Sequence, residues 1–295
     1  LPILDIAGTS VFHESRKLSE DENHVACSGS CFRESILEHC APDRILGICI
    51  VMSAMIDASS NEVYSTTLNL PSMESTQIIK SLKTAFPGYP VDLLNDTACY
   101  SYAEKVYGNI KEKNFAFLNF GRGIGATLFT EGSMLGTASG SSTQFGHYSI
   151  DPHGPECICG NHGCLEQYAS ATGIVRVAND ILEESKEDSK MRHVEKLSAK
   201  NVLDFYKEGD ALAVKTMEKV GDILGSTLAV FACVTDPEAI VIGGGVSKAG
   251  KPLTDCIQKY YQKYAFPSCK STPIILASLG NDAGIYGAAR MVIKD

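Results

Sequence analysis

Two stretches far apart in the chain are built to one plan, and this repetition narrows the architecture more than any other feature. "LPILDIAGTSVFHE" at 1–14 and "FAFLNFGRGIGATLFTEG" at 115–132 each run an apolar strand into a glycine-containing turn and out into a second strand. Each half of the chain therefore opens on a glycine hairpin. Behind each hairpin strands alternate with helices. A helix is expected in "CFRESILEHC", a buried strand in "ILGICIVMSAMID", a helix in "STQIIKSLKTAF", and a strand running into a helix in "VDLLNDTACYSYAEKVYG". Residues from about 168 to 234 read as mainly helical, "DPEAIVIGGGVSKAG" as a strand whose glycine turn feeds the helix "PLTDCIQKYYQKYAF", "TPIILASLG" as a strand, and "DAGIYGAARMVI" as a last helix. This alternation predicts an α/β fold, and 295 residues with 44% hydrophobic content are enough for two cored lobes.

Charge and hydropathy then exclude several classes. A net charge of −9 argues against extended contact with nucleic acid. No window of eighteen apolar residues exists and the N-terminus lacks signal-peptide sections, so the expectation is a cytosolic protein without a membrane anchor. The chain begins at Leu1, which predicts that something upstream has been processed, cut or left out.

Three glycine turns carry the first chemical hypothesis. Asp5, Gly8 and Thr9 lie in the first hairpin, Gly121, Gly123 and Gly125 in the second, and Gly243, Gly244 and Gly245 follow a third strand. Glycine lets backbone N–H groups approach phosphate oxygens closely. A single such turn reads better as an ordinary connection; three in matching contexts predict a nucleotide in a cleft between two lobes. Such a cleft needs a base, and Asp96, where a strand meets a helix in "LLNDTACYSYAEK", is the best candidate. The bland alternative is that Asp96 merely caps the helix. As a catalytic residue it is expected to be kept ionised by the helix dipole and to accept a hydroxyl proton late in phosphoryl transfer.

The stretch "PECICGNHGCLEQYAS" carries the second. It puts Cys157, Cys159 and Cys164 within eight positions, with Gly160 and Gly163 available to curl the backbone around an ion. Tetrahedral zinc needs a fourth ligand, for which His147, His153 and His162 compete. A closed four-ligand set is structural, so the chemistry must lie elsewhere. The eleven cysteines are odd in number and scattered, which suits reduced thiols plus one metal site better than a disulfide framework.

Taken together, "DIAGT", "NDTA", "GRGIG", the "GH" ten residues before "CICGNHGCLEQYAS", "IVIGGGVSKAG" and "LGNDAGIYGAAR" resemble the repressor/open-reading-frame/kinase family of sugar kinases and sugar-responsive regulators, most of all its bacterial glucokinases. The match runs the length of the chain and is densest from 145 to 175 and from 236 to 292. The resemblance implies a two-lobed, actin-like (ribonuclease H-like) ATPase fold. Its smaller α/β domain would span 1–108, completed by the C-terminal helix 282–295, and its larger domain 109–281, with a zinc-binding loop at 147–166. It implies a transferase using ATP and Mg2+ to phosphorylate the 6-hydroxyl of a hexose, glucose to glucose 6-phosphate, in carbohydrate metabolism. It also implies structural zinc on His147, Cys157, Cys159 and Cys164, and a homodimer or tetramer. Asp96 matches the family's catalytic base, and Asn95, Asn69, Gln144, His147 and Glu166 its sugar-contacting positions; zinc would then fix His147 and Glu166 in the sugar pocket.

Four departures from the family's usual motifs stand out. Ala7 replaces a glycine with Ser10 after the threonine, Arg122 replaces a small hydroxyl residue, Gln144 replaces a glutamate, and "SAMID" lacks a Pro-Gly turn. Two readings follow: an active hexose kinase, or a non-catalytic sugar-sensing effector domain of a transcriptional regulator.

Overall fold

The computed structural model describes residues 2–5, 9–13, 33–57, 62–66, 72–136, 143–280 and 282–293. The chain divides into two compact units. The first comprises Leu1–Asn109, Gly136–Ser142 and Leu279–Asp295, and the second Ile110–Leu135 and Thr143–Ser278.

In the first unit, β1 (Pro2–Leu4) pairs antiparallel with β2 (Ser10–His13) around the expected hairpin. A helix α1 covers residues 33–39. The apolar run at 45–57 is not one buried strand. It breaks at Ser53 into β3 (Ile48–Met52) and β4 (Ala54–Asp57), and most of β3 is only half-buried. β4 pairs antiparallel with β5 (Glu62–Thr66), and α2 (Ser72–Ala85) follows. β6 (Val91–Asn95) lies parallel to β3, in register from Ile48 opposite Val91 to Met52 opposite Asn95, and runs directly into α3 (Asp96–Tyr107).

In the second unit, β7 (Phe115–Phe120) and β8 (Ile124–Thr130) form the second hairpin, extended by the short β9 (Ser133–Met134). The four-residue α4 (Glu166–Ala169) leads through Ser170 into α5 (Ala171–Glu184), followed by α6 (Ala199–Lys207) and the long α7 (Ala211–Thr235). β10 (Ala239–Gly243) feeds a short 3-10 turn and then α8 (Lys251–Tyr264), and β11 (Ile274–Leu276) closes the sheet. The chain ends on α9 (Ala283–Val292) in the first unit, packed on α3 where Gly287 has no side chain to collide with the Cys99 carbonyl.

The sheet of the second unit runs β11-β10-β7-β8-β9. β10 is buried along its whole length, as a central strand covered on both faces should be. One face packs Leu118, Phe120, Ile124, Ala126, Ile240 and Ile242 under α5, α7 and α8. The parallel register of β10 on β7, Ala239 opposite Phe115 through Gly243 opposite Asn119, matters most for function. Parallel neighbours end at the same sheet edge, so the Gly243–Gly245 turn emerges beside the 121–123 turn.

Candidate active site and metal centre

At the β6–α3 junction the extended strand must release its chain into a helix whose first amides have no partner. Asn95 solves this: its backbone is extended and its Oδ1 accepts from Ala98 N at 3.1 Å. Its Nδ2 donates to Ala54 O at 2.9 Å, tying the junction to β4. Asp96 is therefore the first helical residue and not the cap, which corrects the capping alternative. Its Oδ1 accepts from Thr97 N at 2.7 Å, with Thr97 Oγ1 at 3.4 Å, and the Ser53 hydroxyl also hydrogen-bonds the carboxylate. Burial nevertheless pushes the Asp96 carboxyl above its ordinary value, outweighing these donors. Desolvation thus acts against the helix end, which favours the ionised form of Asp96. Thr97 and Ser53 were not singled out in the sequence. The only signal for Thr97 is its adjacency to Asp96, and for Ser53 the polar break in an apolar run.

The glycine turns differ in how they are built. In the first, Asp5 Oδ1 accepts from Thr9 N at 2.8 Å and Asp5 N donates to Thr9 O at 3.0 Å, closing the hairpin; Ala7 and Gly8 lie outside the described residues. In the second, every turn carbonyl is occupied. Gly121 O accepts from Ala171 N at 3.0 Å, Arg122 O from Thr172 Oγ1 at 3.1 Å, and Gly123 O from Gly121 N at 2.9 Å. The Gly121 and Arg122 carbonyls thus face the start of α5, and the Arg122 side chain is exposed. Gly125 pairs with Asn119 within the ladder. In the third, Gly243 abuts the Phe117 ring. Gly244 has φ +82° and backs onto Asn119 Oδ1 and Phe120 O, while Gly245 faces open space. The second and third turns therefore converge at the end of β7.

The cysteine loop folds on itself through the two glycines expected to curl it, Gly160 at φ +85° and Gly163 at φ +60°. Cys157 N donates to Asn161 O and Gly160 N to Cys157 O, so the thiols are drawn to one side. A ring nitrogen of His147 and the Sγ atoms of Cys157, Cys159 and Cys164 all lie within 4.8 Å of one another, which selects His147 over His153 and His162. His147 Nδ1 is 3.5 Å from Cys157 Sγ, and Cys159 Sγ is 3.6 Å from Cys164 Sγ. A tetrahedral zinc with ordinary bond lengths has N–S edges of about 3.5 Å and S–S edges of about 3.8 Å, so the donor set fits that ion. Burial and the neighbouring thiols of Cys159 and Cys157 push the Cys164 thiol far above its ordinary value, so a cation is what would ionise it. The nine described cysteines are all free thiols.

The metal motif also touches the second glycine turn. Glu166, two residues after Cys164 and buried, accepts from Ile124 N at 3.0 Å through Oε2. A side chain on Gly123 would collide with that same oxygen, and one on Gly146, next to His147, would collide with Ile124 O. Gln144 is exposed, and its carbonyl accepts from His147 N at 3.0 Å. Asn69 lies outside the described residues. Asp5, Thr9, Asn95 and Asp96 thus belong to the first unit, and Gln144, His147, Glu166, the other two glycine turns and Cys157, Cys159 and Cys164 to the second.

Comparison with known proteins gives the following. The model of the ROK family matches residues 36–295. The glucokinase of Halalkalibacterium halodurans is 37% identical over 185 residues, covering 61% of this chain and 56% of that protein. The DNA-binding transcriptional repressor Mlc of Escherichia coli is 28% identical over 260 residues, covering 86% of this chain and 61% of the repressor. The match thus spans 56% to 61% of the length of these two relatives. Among solved structures, a ROK family transcriptional regulator, a homologue of the E. coli MLC protein, superposes with a TM-score of 0.78 at 27% identity, over 91% of this chain and 67% of that one. The α/β, actin-like fold expected from the sequence is the fold this chain has. Among the described residues no helix is long and apolar enough to cross a membrane.

Proposed function

The chain belongs to the ROK family, and we propose that it catalyses ATP-dependent phosphorylation of a hexose, with glucose as the substrate. The observation that carries this reading is Asp96: Asn95 takes over the cap, so the Asp96 carboxylate is left at the head of α3, oriented by Thr97 and Ser53. A domain that only senses sugar has no need of an oriented carboxylate with a raised proton affinity.

In this reading Asp96 accepts the proton of the attacking sugar hydroxyl as the phosphoryl group is transferred, and positioning contributes the larger part of the rate. The turns at 121–123 and 243–245 offer backbone to the nucleotide phosphates, aided by Asp5 and Thr9 from the first hairpin. Bound Mg2+ would neutralise charge on the transferring phosphates. Asn95, Asn69, Gln144, His147 and Glu166 contact the sugar. Among them Glu166 has Oε1 to offer a hydroxyl, because Oε2 is engaged by Ile124 N. Zinc on His147, Cys157, Cys159 and Cys164 would staple the loop that orients His147 and Glu166, with no open coordination position for chemistry.

The likeness to Mlc and to its solved homologue favours a second reading, the sugar-sensing effector domain of a regulator. One experiment separates the two. ADP release is followed with glucose, mannose, fructose and N-acetylated hexosamines, beside calorimetric titration of each sugar without ATP. Turnover with glucose supports the kinase; sugar binding without turnover overturns it in favour of the sensor.

A further inference from the structure

Ile124 is gripped from both sides by the metal motif. Its N–H donates to Glu166 Oε2 at 3.0 Å, and its carbonyl oxygen sits where a Gly146 side chain would have to be. Glu166 opens α4 immediately after ligand Cys164 and Leu165, and the turn is locked there because Gln167 N donates to Cys164 O at 2.8 Å. Gly146 is bonded to ligand His147. Both chain segments that supply the outer ligands of the donor set therefore end on one residue, the first of β8 after the 121–123 turn. Among the described residues, the turn's other hydrogen bonds run through its carbonyls, to Ala171, Thr172 and its own Gly121. Glu166 is the one side-chain carboxylate among the described residues that accepts from a backbone amide of the 121–125 segment.

We infer that Glu166 is a positioning residue for the phosphate turn as well as a sugar contact, so that metal occupancy at His147, Cys157, Cys159 and Cys164 controls how tightly the chain holds a nucleotide. This rests on the reading of the 121–123 turn as part of the nucleotide site. The physical reason is short: an amide-to-carboxylate bond in a buried position is charge-assisted, and removing the acceptor leaves a buried N–H without a partner. A carboxylate carried on a metal-stapled loop is fixed in place; released from the metal, it no longer defines where Ile124 N points.

The test uses mant-ADP as probe and the full chain. With zinc content and melting temperature checked for each variant, Glu166→Ala is expected to weaken mant-ADP binding by about tenfold, whereas Glu166→Gln, whose amide oxygen still accepts from Ile124 N, stays within about threefold of wild type. Gly123→Ala alone should also weaken binding, because its methyl group meets Glu166 Oε2. In the Glu166→Ala background the same methyl group should cost little, so the two substitutions are non-additive. Hydrogen exchange of the peptide covering 121–126 supplies a readout that needs no nucleotide: it should accelerate in zinc-retaining Glu166→Ala and on chelation of the wild type. Unchanged exchange, or equal affinities for wild type and Glu166→Ala, overturns the inference. A wild type that binds no mant-ADP while its exchange responds as expected leaves the strut in place and overturns the nucleotide reading instead.

Discussion

Asn95, and not Asp96, closes the amino end of α3: Asn95 Oδ1 accepts from Ala98 N at 3.1 Å, while Asp96 Oδ1 takes the adjacent Thr97 amide and hydroxyl. Two neighbouring residues with similar side chains thus divide two tasks. The neutral amide satisfies the helix, and the carboxylate is left for chemistry in surroundings that raise its proton affinity.

Asp96→Asn separates those roles. The isosteric amide still accepts from Thr97 N, so fold and sugar affinity should persist while kcat falls by about a hundredfold or more for want of a proton acceptor. Stability should move the opposite way. Because burial raises the folded-state pKa of Asp96, its contribution to stability is present below the unfolded value and lost as pH rises through the folded value. At pH 7 the variant should therefore be more stable than wild type, with the difference shrinking on acidification; denaturant titrations at several pH values measure it. Wild-type kcat/KM should decline toward acid at a pH above that of an exposed aspartate, and an unshifted acid limb would assign the profile to another group.

Asn95→Ala should cost about 1–2 kcal/mol in chemical denaturation through the lost cap and the lost bond to Ala54 O. Asn95→Asp keeps the cap acceptor but not the Nδ2 donor, and should recover part of that loss. Recovery of all of it would mean that the tie to β4 contributes nothing to stability.

Elemental analysis should find one zinc per chain. Cys159→Ser, at the exposed member of the donor set, should lose the ion together with thermal stability and sugar affinity, since serine is a poor zinc ligand and the loop has little core of its own. A metal-free protein with normal sugar binding would reassign the cluster to free thiols.

What the sequence made legible was local. The paired hairpins, the strand-to-helix step at 95–96 and the cysteine loop with Gly160 and Gly163 each follow from neighbours within a few residues, and the structure has all of them. What it hid depends on contacts between distant segments. The choice of His147 among three histidines, the hold of Glu166 on Ile124 across 42 positions, and the burial that lifts Asp96 appear only once the chain is folded. Gly123 is the sharpest case. It reads as a flexible phosphate-loop glycine, yet its φ is not in the left-handed region, and a side chain there would displace the Glu166 carboxylate from its place beside Ile124 N.

The adjacent glycines 244 and 245 give the last prediction, because the same substitution should act on different properties at the two positions. Gly244 has φ +82°, and a Cβ there would lie 2.5 Å from both Asn119 Oδ1 and Phe120 O. Gly244→Ala therefore forces a left-handed backbone and a collision with β7, and should cost about 1–3 kcal/mol of stability. Gly245 has neither constraint: its φ is ordinary and a Cβ meets nothing within 4 Å. Gly245→Ala should leave the melting temperature nearly unchanged. If nucleotide phosphates approach this turn, the added methyl group lies in their path and should weaken ATP binding by about tenfold with the fold intact. Melting curves and ATP dissociation constants for the two variants decide it: an unaltered ATP constant in Gly245→Ala would leave the glycine run with a purely structural purpose, the exit of β10 beside Asn119.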